Sequence, residues 1–215
     1  MKIAFLGLST NNKQFLLLCL ARIASFHTKV TLFTKHFYFF DNINTAFEYC
    51  GIEIVLYKDD NELLSMLPEN DSVFIDAEDA IILPDDYRLI TICEPTRQEL
   101  EYSVNLTNET VLNSPADSLS LIYLNIAEYS KVNKKFMDLF WERAAPNSTQ
   151  ITFTHAIYFE DTNHAIMIDS QYACKIPIRR LSFAYKGALK SILQDILKLD
   201  SKEVRDIFKK AEREK

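Results

Sequence analysis

Short runs of large apolar residues recur along the chain, and stretches of helical pattern separate them. They are "KIAFLGL" over 2–8, "KVTLFT" at 29–34, "IEIVLY" at 52–57, "SVFID" at 72–76, "RLITIC" at 88–93, "LSLIYLNI" at 119–126 and "QITFTH" at 150–155. A strand without polar alternation must be buried on both faces. A chain that interleaves such strands with helices covers a parallel sheet from both sides. The expectation is an α/β fold: a doubly wound, mainly parallel sheet of about seven strands, with helices on both faces. Ligands of such a sheet bind outside the carboxyl ends of its strands.

The intervening pattern predicts helices over 12–25, over 43–50 with Gly51 as the cap, and over 60–67. Further helices are expected from Pro95 to about Leu106, over 131–143, over 182–198 and over 201–213. The stretch 156–180 fits either a hairpin or a short helix after a loop. No linker, repeat or low-complexity segment breaks the pattern, so residues 1–215 are read as one domain, with 201–215 as a charged terminal helix.

Composition narrows the function. With 215 residues and 48% apolar content, the chain can build a single large core. A net charge of -6 argues against binding nucleic acid through the overall field. Only 3 glycines are present, whereas average usage of about 7% would give roughly 15. Wrapping backbone closely around a phosphate normally needs several.

Cys19, Cys50, Cys93 and Cys174 lie in apolar stretches without metal-ligand spacing and read as reduced core residues. His27, His36, His155 and His164 are equally scattered, so no metal is expected. "FLLLCLARIA" at 15–24 carries Arg22 and is too short to span a membrane; it reads as a buried helix in a cytoplasmic protein.

The first strand, its turn and the following helix supply the context of a phosphate-binding loop. Residues 7–14 read G-L-S-T-N-N-K-Q against the motif G-x-x-x-x-G-K-[ST]. Gly7 and Lys13 fit. Asn12 stands where the second glycine belongs, and its Cβ obstructs closure of the amides unless it turns left-handed. Gln14 replaces the hydroxyl that ligates magnesium. Asp76, at the end of the fourth strand, stands where magnesium or its bound water would be held. The alternative is a plain β–α turn with a solvent-facing lysine.

This order of parts resembles the deviant-Walker group of P-loop proteins, the MinD/ParA/TadZ-like family. The resemblance rests on "KIAFLGLSTNNKQFLLLCLARIA", "KVTLFT", "DSVFIDAED", "LITICEPTRQELEYSVNL" and "SLIYLNIAEYSKVNKKF". It implies a P-loop NTPase-like three-layer sandwich. The family's signature lysine falls on Leu8, and only Gly7, Lys13 and Asp76 match its pattern. The resemblance therefore implies a pseudo-ATPase with a vestigial nucleotide site at Gly7, Asn12, Lys13, Gln14 and Asp76, and no catalytic residues. ATP is the one cofactor it suggests. It also implies a homodimer that joins protein partners in a larger assembly.

The expected dimer face comprises residues 8–14 and the aromatic stretch Phe37–Phe40, which could equally be core. Lys175, Arg179, Arg180 and Lys186 form a basic segment that either meets an acidic partner or is simply solvated. Two rival readings remain: an ATP-binding switch in which Lys13 grips the phosphates, and a Rossmann-like transferase drawing on Asp76, Glu78 and Glu94. Ser9 and Ser114 lack a histidine–acid pattern, and no G-x-G-x-x-G is present.

Overall fold

The computed structural model describes residues 1–37, 46–68, 71–84, 86–114, 116–146 and 149–213. Its elements are β1 (Lys2–Leu6), α1 (Asn11–Ala24), β2 (Val30–Thr34), β3 (Ala46–Tyr49), β4 (Ile52–Leu56), α2 (Asp60–Met66), β5 (Ser72–Ala77), β6 (Arg88–Cys93), α3 (Arg97–Asn113), β7 (Ser118–Ile126), α4 (Lys134–Ala144), β8 (Gln150–Tyr158), α5 (Asp161–Ala173), α6 (Phe183–Leu197) and α7 (Ser201–Arg213). A 3-10 turn at Ile178–Arg180 joins α5 to α6.

The eight strands form one sheet in the order β3-β4-β2-β5-β1-β6-β7-β8. Every pairing is parallel except β3 with β4. The central strands β1, β2, β5 and β6 are buried almost throughout, as their continuous apolar runs require. Two cores flank the sheet. One joins Ile3, Phe5, Phe74 and Ile90 to α1, α5, α6 and α7. The other joins Ala4, Leu6, Val73 and Leu89 to α2, α3 and α4, with Trp141 fully buried in it.

The eighth strand is β3, where the pattern predicts a helix over 43–50. Residues 46–49 pair antiparallel with β4 across a two-residue turn at Cys50 and Gly51. Both turn residues have positive φ, 52° and 72°, which is the geometry of the hairpin turn that suits a twisted ribbon. Gly51 is thus left-handed in a hairpin rather than in a helix cap. Phe47 and Tyr49 alternate onto the same face and meet the Phe37 ring edge-on, each at 5.1 Å. That period-two contact outweighs the helical spacing. The ambiguous stretch after β8 is the helix α5, ended by a left-handed Cys174.

Cys19 and Cys93 are core residues as expected, but Cys50 is half-buried and Cys174 exposed, because each sits at a left-handed turn on the surface. Among the described residues no helix is long and apolar enough to cross a membrane.

Candidate functional site

The strand order reverses between β1 and β6: the chain leaves β1 toward β2 on one side and leaves β6 toward β7 on the other. Loops that follow adjacent strands on the two sides of such a point diverge and leave a crevice at the carboxyl ends. The loops 7–10 and 94–96 border it here, with Asp76 alongside at the end of β5.

Gly7 is the hinge of the first loop. Its φ is +134°, and a Cβ there would lie 2.1 Å from the Ile92 carbonyl oxygen on β6. Its N–H donates to the Ala77 carbonyl at 3.1 Å, which extends the β1–β5 ladder by one bond. Only Leu8, Ser9 and the cap residue Thr10 separate Gly7 from α1. The Thr10 hydroxyl accepts the Lys13 amide at 3.2 Å, an ordinary N-cap. Asn12 therefore lies in the first helical turn and is not left-handed.

Lys13 is not solvent-facing; it is 1% exposed. Its ammonium turns back beneath the loop. Nζ lies 2.6 Å from Asp76 Oδ1 and donates to the carbonyls of Gly7 at 2.7 Å and Ala77 at 3.2 Å. An ammonium has three protons, and three acceptors surround this one. Burial pushes the Lys13 pKa below its ordinary value, while the Asp76 charge works against that shift. The other Asp76 oxygen, Oδ2, accepts from Ser9 Oγ at 3.1 Å and lies 3.1 Å from Thr34 Oγ1. Thr34 has a single hydroxyl proton, which can serve either Asp76 or the His36 carbonyl at 2.6 Å. Gln14 Nε2 donates to Ser9 Oγ at 2.9 Å and so orients it. The Tyr57 hydroxyl donates to the Asp76 backbone carbonyl, and burial raises its pKa well above the usual phenol range.

A second network spans the crevice itself. Glu94 follows β6 and reaches the amino terminus of α1. Its Oε1 accepts from Thr10 Oγ1 at 3.3 Å and Asn12 Nδ2 at 3.1 Å, and its Oε2 accepts from Asn125 Nδ2 at 2.9 Å. Asn125 has φ +53°, a conformation asparagine tolerates, at an irregularity near the end of β7. A carboxylate is thereby held against the positive end of a helix, where an anion is favoured.

Gly7, Asn12, Lys13, Gln14 and Asp76 are thus brought together, in two linked networks that also recruit Ser9, Thr10, Thr34, Glu94 and Asn125. The additional members are short polar residues at or just beyond the carboxyl ends of β1, β2, β6 and β7. Their placement at apolar-run ends is the sequence signal that could have found them. Of the other carboxylates, Glu78 pairs with His36 at 2.8 Å, and neighbouring Asp79 with Lys35 at 2.8 Å. Among the described residues, no group of three His, Cys, Asp or Glu side chains could hold a metal ion.

Of the expected contact surface, Phe37 is 5% exposed and belongs to the core, because β3 packs against it. Residues 38–40 lie outside the described residues. Two of the four residues of the basic segment are paired within the chain: Arg180 with Asp169 at 3.2 Å and Lys186 with Glu212 at 2.7 Å.

No protein-family model matches the chain, and no curated protein matches it. Solved structures do. The MinD cell division protein of Aquifex aeolicus aligns with a TM-score of 0.62 and 8% identity, over 93% of this chain and 98% of that one. A chain of the MinC:MinD cell division protein complex of the same organism gives 0.60 and 9%, over 93% and 97%. A plasmid partition protein from Borrelia burgdorferi, bound to AMPPNP, gives 0.54 and 14%, over 92% and 98%. At such identities the likeness is one of fold, and it is the MinD/ParA-like α/β fold.

Proposed function

We propose that this chain is a pseudo-ATPase of MinD/ParA-like fold that works by contacts, as a homodimeric scaffold or assembly factor for a larger machine of pilus, secretion or conjugation type. The observation that carries this reading is the state of Lys13. Its ammonium is buried against the Asp76 carboxylate and donates to the carbonyls of Gly7 and Ala77, so it is not directed at a phosphate. Charge stabilisation at the transferred phosphoryl group supplies most of the catalysis in such sites. Here the one matching cation is neutralised by the one matching carboxylate.

Two more features support it. Gln14 offers an amide, engaged with Ser9, where a magnesium-ligating hydroxyl belongs. Glu94 sets a fixed negative charge at the helix end that a triphosphate would occupy. The residues present do not fit a magnesium nucleotide without first breaking both networks. The structural neighbours include a protein bound to AMPPNP and one in a two-protein complex. Of those two properties, assembly with partners is the one this reading assigns to the present chain.

The test is γ-phosphate release from ATP with magnesium by the purified chain. Release is expected to equal the buffer blank. Turnover that follows the protein peak through successive columns would overturn the reading.

A further inference from the structure

We propose that the outer edge of β8 is where a second copy of this chain adds, strand against strand and antiparallel, joining the two sheets across a two-fold axis. The proposal rests on the reading of the protein as a homodimer and gives that dimer a face other than the crevice.

Among the described residues β8 pairs only with β7, so its far side presents a row of unpaired backbone groups. Folded proteins block such edges with short strands, charges or proline, because an open one templates pairing. The opposite edge is blocked in this way: β3 has four residues and carries the exposed Glu48. By contrast, β8 has nine residues and reads "QITFTHAIY", without lysine, arginine, aspartate, glutamate, proline or glycine. Its isoleucines, threonines, Phe153 and Tyr158 are strong strand formers. Its pairing with β7 has two irregularities, one near Ile151 and Thr152 and one between Ala156 and Tyr158, and is regular between them over Phe153–Ala156.

Charge and pattern select a second copy as the occupant. The chain carries a net charge of -6, whereas β8 has no lysine, arginine, aspartate or glutamate of its own, and the charged groups against it are paired, Lys134 with Asp138 and His155 with Asp195. The strand is also self-complementary about its middle. Phe153 and Ile157 belong to the core on the α6 side, and His155 meets Asp195 of α6 at 2.7 Å. Ala156 packs with the opposite core. A two-fold axis at His155 would set Phe153 opposite Ile157 of the second copy, Thr154 opposite Ala156 and Thr152 opposite Tyr158, the first two pairs within one face.

Strand pairing alone buries little beside the roughly 1,600 Å² of a standard interface, and the neighbouring surface adds to it. Phe136 and Leu139 of α4 are 45% and 44% exposed. An open groove of about 600 Å³ runs between α4 and β8, lined by Ile151, Thr154 and Pro146 and also by the acidic Asp138 and Glu142 of α4.

Sedimentation velocity over a micromolar range tests this with three full-length chains: wild type, Thr152→Lys with Tyr158→Lys, and Thr152→Lys with Tyr158→Glu. Both replaced side chains are exposed, and circular dichroism with thermal melting confirms that each variant is folded. The wild type should be a dimer. The double-lysine chain sets like charges opposite each other and should dimerise at least tenfold more weakly. The lysine–glutamate chain sets opposite charges face to face and should recover. A folded double-lysine chain that dimerises like wild type overturns the edge and leaves the homodimer standing. A lysine–glutamate chain that fails to recover overturns the antiparallel register. A wild type that stays monomeric overturns both the edge and the homodimer.

Discussion

Lys13→Ala is expected to destabilise the protein by about 3–5 kcal/mol, because it strands a charged or newly protonated Asp76 in a site where the residue is 3% exposed. For a domain of this size that corresponds to a fall in Tm of roughly 6–20 °C. The loss is a property of the missing partner more than of the bond. Removing both charges with apolar residues of similar volume, Lys13→Met with Asp76→Leu, should therefore recover most of it. Part will stay lost, because Ser9 and Thr34 lose their acceptor and the carbonyls of Gly7 and Ala77 lose a donor. Urea unfolding of the wild type, both single variants and the double variant closes the cycle. A lysine kept to grip a ligand, with little structural role, would give a change within about 0.5 kcal/mol, the range of ordinary surface substitutions.

Gly7→Ala should be comparably severe for a different reason. The residue sits at φ +134°, which an L side chain adopts only under strain of about 1–3 kcal/mol. The added Cβ would meet a backbone carbonyl on β6 at 2.1 Å, so β1 and β6 must part at the centre of the sheet. Overpacking typically costs about 1–3 kcal/mol more. The combined expectation is roughly 2–6 kcal/mol, read as loss of soluble folded chain or a lowered urea midpoint. Gly187→Ala is the control: nothing lies within 4 Å of its added Cβ, and it falls inside α6. Replacing glycine by alanine inside a helix stabilises by about 0.5–1 kcal/mol.

The sheet was legible because burial on both faces removes polar alternation from a strand, and β1, β2, β4, β5, β6 and β7 all show it. β3 was not, since "AFEY" carries only two inward residues, and what fixes it is Phe37, nine residues before its start. The site was half legible. Gly7, Lys13 and Asp76 mark a strand–loop–helix unit and a strand end, which are local features. That Lys13 points inward, and that Glu94 crosses to Thr10, Asn12 and Asn125, depends on contacts 31 to 84 residues apart in the chain. No local pattern encodes such a choice between a buried partner and a bound anion. The same limit applies to Phe37: an aromatic run looks identical whether it lines a core or a surface, and the hairpin that covers it decides.

The central claim is that charges supplied by the chain itself hold the place of a nucleotide. Calorimetric titration of the folded wild-type protein with ATP and magnesium, carried to millimolar ligand, tests it most directly. The account predicts heats no different from dilution, because binding would have to break the Lys13–Asp76 pair and displace Glu94. A saturable isotherm with one site per chain, competed by ADP, would contradict it.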